Sequence, residues 1–273
     1  MTAQNHGSSA PRTDPARPAR ARSAQVLAPR TAPALAPRTA DDLAALFRVH
    51  PTQAAPALLG CLLTVATPQG AVTVRLTELE AYGDQGEDPG AHSFRGRTER
   101  NAALFGPPQR TYVYLNYGIH RCLNIVAHEP DAAGGLLVRA AEVLDGHGLA
   151  VLRRTRDTGA RLLSGPGNLG QGLGITLEMG HLPIALADAG PATAAGGATS
   201  AAGCSRTPLP DDGRSPASFV LAPPPVGSAP PHVSTGPRVG VSGEGGSARF
   251  PWRYWITGEP SVSRFRAGRN VPV

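Results

Sequence analysis

Lysine is missing from all 273 residues, so every one of the 26 basic side chains is an arginine. No side-chain amine can therefore form a Schiff base, and a terminal amine on a floppy tail is a poor substitute. Cysteine is scarce: Cys61, Cys122 and Cys204 are odd in number and widely spaced, with no CxxC pair. Neither a disulfide frame nor a zinc site fits them, and they read as reduced thiols of a cytoplasmic protein. No apolar run approaches the ~18 residues of a membrane helix, and no hydrophobic signal core follows the first methionine. The expectation is a protein with no membrane association and no metal or other cofactor.

What the chain does have is 33 glycines, 28 prolines and a hydrophobic content of 41%. That supports a core, with much of the chain outside regular elements. The net charge of +6 is uneven. Arg12, Arg17, Arg20, Arg22, Arg30 and Arg38 face only Asp14 in the first forty residues. Residues 1–40 are therefore expected to be a disordered basic tail, able to attract polyanions without sequence preference. Folded structure is expected over 41–268, interrupted by a low-complexity insertion or long loop at about 189–235.

Patterning predicts short helices over Asp41–Phe47 and Thr52–Leu59, the second stopped by Gly60. Cys61–Ala66 and Ala71–Tyr82 read as a hairpin, as do Thr111–Asn116 and His120–Ala127, turning at Tyr117-Gly118. A strand over Gly135–Val143, a helix from about Asp145 to Thr155, and a last element over Arg238–Val241 and Trp252–Thr257 complete the outline. The glycine-rich run from Leu163 to Leu173 places a proline where a helix starts, a turn that suits an anion.

Thr77-Glu-Leu-Glu-Ala-Tyr82 ends the longest strand. Period-two geometry puts Val72, Val74, Leu76, Glu78, Glu80 and Tyr82 on one face, which begins aliphatic and ends in two carboxylates and a phenol. Such carboxylates either reach a solvated rim and pair with arginines or do chemistry. Aromatics make up 5% of the chain, yet three of its five tyrosines fall between Tyr112 and Tyr117, and Tyr82 is a fourth. Tyrosines near Arg95, Arg97 and Arg100 suit stacking on nucleic-acid bases, and Tyr117 at a hairpin tip could wedge into a base stack. A tyrosine-rich surface hairpin with no ligand is the bland alternative.

The ordered series Thr77-Glu-Leu-Glu80-Ala-Tyr82, Ala91-His92-Ser93, Arg95-Gly-Arg97, Arg100-Asn101, Tyr112-Val-Tyr114, Tyr117-Gly118, Cys122-Leu-Asn124-Ile, Leu137-Val-Arg139-Ala and Ser164-Gly-Pro-Gly resembles the alkyladenine (3-methyladenine) DNA glycosylase family. The match runs from Leu58 to about Thr176 and returns at Arg238-Val-Gly-Val and Trp252–Ser263. The resemblance implies an α+β fold, a single mixed domain with a curved antiparallel sheet and surrounding helices. It also implies monofunctional excision of alkylated or deaminated purines from double-stranded DNA, by a monomer, without a cofactor. By position, Glu80 would activate water. Arg139 would position that water or the flipped nucleotide's phosphate. Tyr82 and His92 would stack on one side of the base and Tyr114 on the other. Asn124 would sit at the pocket floor and disfavour guanine, and Tyr117 would fill the gap left in the duplex.

Two other readings keep part of the pattern. A non-catalytic module binding damaged or single-stranded nucleic acid would need the tyrosines and arginines but not Glu80. An unrelated hydrolase with a glutamate pair at its rim would need neither DNA nor Tyr117.

Overall fold

The computed structural model describes residues 36–190 and 217–272. The chain opens with α1 (Ala40–Leu46) and α2 (Pro51–Leu58). Thr39 caps α1 by a reciprocal pair of hydrogen bonds with Asp42, and Pro51 begins α2 where its missing N–H costs nothing. Two hairpins follow, β1 (Leu62–Thr67) with β2 (Gly70–Tyr82) and β3 (Thr111–Asn116) with β4 (His120–Val126). Then come β5 (Gly135–Asp145), α3 (His147–Arg154), the short β6 (Leu163–Ser164) and α4 (Pro166–Leu173). β7 (Ile184–Leu186), β8 (Ser218–Ala222), β9 (Val233–Gly236) and β10 (Arg253–Ile256) close the series.

All ten strands join one sheet, with β3-β4-β5-β2-β1-β8-β7 as its main path. Every pairing is antiparallel except β7 with β8. The fold is thus α+β, a single mixed domain on a curled, mostly antiparallel sheet. β2 is its hub. One edge carries β5; the other carries β1 as far as Arg75 and then β10 from Glu78.

The single face expected along β2 does not survive that change of neighbour. Leu76 pairs with Ala141 and Glu78 with Ala140, so β2 holds an extra residue; Leu79 then pairs with Val138, so β5 holds one next. A one-residue slip moves every following side chain to the other face. Val72, Val74 and Leu76 lie in the core, and beyond the bulge Leu79 and Ala81 join them. Glu78, Glu80 and Tyr82 turn the other way. β5 does the same, with Leu136, Val138 and Ala141 in the core and Arg139 opposite. The physical reason is that carboxylates cannot continue an aliphatic face without leaving charge unpaired in the core.

The core face is covered by Leu43 of α1, Ala54, Ala55 and Leu58 of α2, and Leu169 and Leu173 of α4. α4 lies so close to β4 that a Cβ at Gly170 would sit 2.0 Å from the carbonyl oxygen of Arg121, so only glycine fits.

The predicted helices and hairpins stand within a couple of residues of their expected ends. The stretch 189–235 needs correction. It contains β8 and β9, and β8 pairs with β1 while burying Phe219 and Leu221. Its alternation lasts only five residues between prolines, too short to stand out from the composition. Arg238–Val241, expected to be part of the last element, is not a strand. The tail up to residue 35, residues 191–216 and Cys204 lie outside the described residues.

Candidate active site

One row of paired residues crosses five strands: Tyr112 on β3 opposite Asn124 on β4, then Leu137 on β5, Glu80 on β2 and Arg253 on β10. Paired residues share a face, and this is the face that the bulge turned away from the core. A cavity of about 360 Å³ opens over it, within the size range of small-molecule sites. Tyr82, His92, Tyr112, Tyr114, Tyr117, Asn124, Leu137 and Arg139 all contribute to its wall. Pro166 at the start of α4 and the segment Val239–Ser242 complete it.

The two glutamates are both fully buried but are held differently. Glu78 Oε1 accepts from Arg139 Nε at 2.9 Å, Arg253 Nε at 2.7 Å and Ser263 Oγ at 2.9 Å, while Oε2 accepts from the Ser263 amide at 2.7 Å. It is saturated by protein donors and does not line the cavity. Glu80 takes three: Tyr82 Oη at 2.8 Å and Arg139 Nη1 at 3.3 Å on Oε2, and the Val239 amide at 2.6 Å on Oε1. All three donor residues lie on the cavity wall, so Glu80 sits directly behind it. Burial lowers the proton affinity of the Arg139 guanidinium, but Glu80 and Glu78 outweigh that and keep it charged. Two carboxylates thus face two guanidiniums, Arg139 and Arg253, and the formal charges balance.

The loop after β2 delivers His92. Its anchor is Asp88, fully buried, which accepts from the amides of Gly83 at 3.0 Å and Gly90 at 2.9 Å and pairs with both terminal nitrogens of Arg238 at 2.5 and 2.6 Å. The Arg238 guanidinium also donates to the carbonyl of Ala81 at 3.0 Å and lies 4.5 Å from the centroid of the Tyr82 ring. One buried ion pair therefore fixes the end of β2, the His92 loop and the segment that gives Glu80 its backbone donor.

His92 Nδ1 is 2.9 Å from the Tyr112 hydroxyl, and the His92 ring meets Tyr114 edge-on at 4.6 Å between centroids. Burial, and then the nearby charge of Arg100, holds His92 below its ordinary range, which keeps the imidazole neutral at pH 7. Burial pushes the Tyr112 phenol up to about 12. Burial, with Glu80 beside it, also holds Tyr82 well above the usual phenol range, so both hydroxyls remain donors. His92 leans closer to Tyr114 than the roughly 7 Å that a ring stacked on both sides requires, at about 3.5 Å per contact. A base entering between them has to part those two rings.

Asn124 forms part of the cavity wall, its amide nitrogen donating to the carbonyls of Tyr112 at 3.1 Å and Cys122 at 3.4 Å. Tyr117 stands at the tip of the β3–β4 hairpin, 84% exposed, with a left-handed backbone at φ 50°. The structure therefore gathers Glu80, Arg139, Tyr82, His92, Tyr114 and Asn124 around one cavity, with Tyr117 at its rim.

Three contributors had no role in the sequence reading: Tyr112, the Val239 amide and Arg238 with Asp88. Tyr112 was visible in the tyrosine cluster. A backbone donor carries no sequence signal, and the ion pair joins residues 150 positions apart. Among the described residues, no three His, Cys, Asp or Glu side chains gather as a metal site needs, and no helix is long and apolar enough to cross a membrane.

Comparison with known proteins bears on this arrangement directly. The family model for methylpurine-DNA glycosylase matches residues 45–260, a span that includes Glu80 and every cavity-wall residue named above. A protein of Leifsonia xyli subsp. xyli is 41% identical over 228 residues, covering 81% of this chain and 90% of its own. One of Nocardia farcinica is 40% identical over 229 residues, covering 82% and 91%. One of Streptomyces avermitilis is 39% identical over 217 residues, covering 78% and 86%. All three are assigned as 3-methyladenine DNA glycosylases. The chain belongs to the methylpurine-DNA glycosylase family, DNA-repair hydrolases of the N-glycosyl bond.

Proposed function

We propose that this protein removes alkylated or deaminated purines from double-stranded DNA, acting as a monomer on a nucleotide flipped out of the helix into the cavity. The observation that supports this reading best is the placement of Glu80, a buried carboxylate whose three donors form the wall of a tyrosine-lined cavity. Flipping gives access to the glycosidic bond, and damaged bases unpair at lower cost. Tyr117 fills the space left in the duplex. The base stacks against Tyr82 and Tyr114, and His92 moves off Tyr114 while keeping its bond to Tyr112. Asn124 excludes guanine by crowding its exocyclic amine.

In the chemical step, Glu80 takes a proton from a water positioned beside Arg139. The oxygen bonds to C1′ as the C1′–N9 bond breaks, and its electron pair leaves with the purine. A cationic alkylpurine departs as a neutral base, whereas a neutral purine such as hypoxanthine departs as an anion and takes up one proton, balancing the one that Glu80 removed from water. With no lysine anywhere in the chain, hydrolysis stops at the abasic site, and borohydride traps no enzyme–DNA adduct.

The test is single-turnover base release from duplexes carrying one hypoxanthine or ethenoadenine, with methylated DNA as a companion substrate. Glu80→Gln is expected to lower release about 10²–10⁴-fold, the usual contribution of general-base catalysis, and to keep lesion binding. Release that persists undiminished in Glu80→Gln removes the proposed role of Glu80. Lesion binding without release by the unaltered protein favours a binding module instead.

A further inference from the structure

The chain beyond β10 is strapped along the cavity wall. Ser263 is fastened to Glu78 through its amide and hydroxyl. From there the segment runs back beside residues 240–243: the Gly240 amide donates to Arg266 O at 2.8 Å and the Gly243 amide to Arg269 O at 2.9 Å. The Arg269 amide donates to Ser242 Oγ at 3.1 Å. A Cβ on Gly268 would lie 1.9 Å from the carbonyl oxygen of Val241, so the two backbones are in direct contact. Residues 240–242 line the cavity, which places this strap immediately behind that part of its wall.

The side chains on the strap are Arg264, Phe265, Arg266 and Arg269, all exposed. Among the described residues, none of the three arginines lies within ion-pair distance of a carboxylate. Arg238, Arg249 and Arg253 each pair with one, and Arg75 and Arg139 with two. Phe265, which stands between Arg264 and Arg266 in the sequence, is 49% exposed. Guanidinium groups without a protein anion take phosphate oxygens in a two-pronged geometry, and a neighbouring aromatic can rest on a sugar or base. The rigid backbone lowers the ordering cost of such a contact.

We propose that Arg264, Arg266 and Arg269 form a phosphate grip for the DNA strand that delivers its nucleotide to the cavity. This rests on the glycosylase reading and adds where the strand is held.

The experiment compares the full chain with the triple variant R264Q/R266Q/R269Q, measuring the affinity for lesion-bearing and undamaged duplexes as salt is raised. Three phosphate contacts predict that the slope of log K against log salt becomes shallower by about 2.7, at ~0.9 per contact. The loss should be alike for the two duplexes, and the excision rate of the saturated complex should be unchanged. An unaltered slope overturns the proposal, as does a loss confined to the lesion duplex. Failure of the glycosylase reading shows separately, as absence of base release by the unaltered protein, while the salt slope remains measurable.

Discussion

Glu78 and Glu80 are identical side chains two positions apart, and what reaches them separates their roles. Glu78 receives four donors from Arg139, Arg253 and Ser263, whereas the three on Glu80 all belong to the cavity wall. The same logic assigns work to Tyr112, whose hydroxyl meets His92 Nδ1. Tyr112→Phe keeps the ring and removes one hydrogen bond, worth about 1 kcal/mol or roughly a five-fold change. Base release at limiting enzyme is expected to fall by that factor, with a loss of folding stability of no more than about 1 kcal/mol. Equal rates for the two proteins would mean that Tyr112 does not position His92. The pattern of residues was legible at this scale, because the carboxylates, tyrosines and histidine carry their chemistry in their identities. Why Glu80 and not Glu78 borders the cavity was not, since the partners that saturate Glu78 lie 61 to 185 residues away.

Among the elements, the β3–β4 hairpin and the bulge in β2 carry the most consequence. The hairpin was readable from alternation around Tyr117-Gly118. The bulge was not read, although its trace is the change of phase in the apolar positions from Val72, Val74 and Leu76 to Leu79 and Ala81. The hairpin tip also holds a tyrosine where the backbone is left-handed, a conformation that costs a non-glycine residue about 1–2 kcal/mol. Both Tyr117→Ala and Tyr117→Gly should lose base release from duplex DNA. The glycine variant should nonetheless be at least as stable as the alanine variant in urea titrations, because only glycine relieves the backbone. Full release activity in both variants would show that the tip residue does not enter the duplex. β8 and β9 escaped notice for a different reason: each is shorter than the proline- and glycine-rich segments around it.

Across the whole molecule, the site is assembled from segments that meet only in the folded state. The Arg238–Asp88 pair is the clearest case, joining the His92 loop to the residue preceding the Val239 amide. Asp88→Asn leaves a buried guanidinium without its counter-charge, a change that costs about 3–5 kcal/mol. Chemical denaturation should show that loss. A change under about 1 kcal/mol would place the pair outside the framework of the site.

The order in which these parts arrive has its own consequence. Glu80 is made early, but the Val239 amide that holds it, and the Arg253 and Ser263 groups that fix its neighbour Glu78, come from the final stretch of the chain. Until residues 239–242 have been added, the growing polypeptide carries Glu80 without its backbone donor and the cavity without one part of its wall. Glu80 therefore gains its backbone donor only once the chain has grown 159 residues past it.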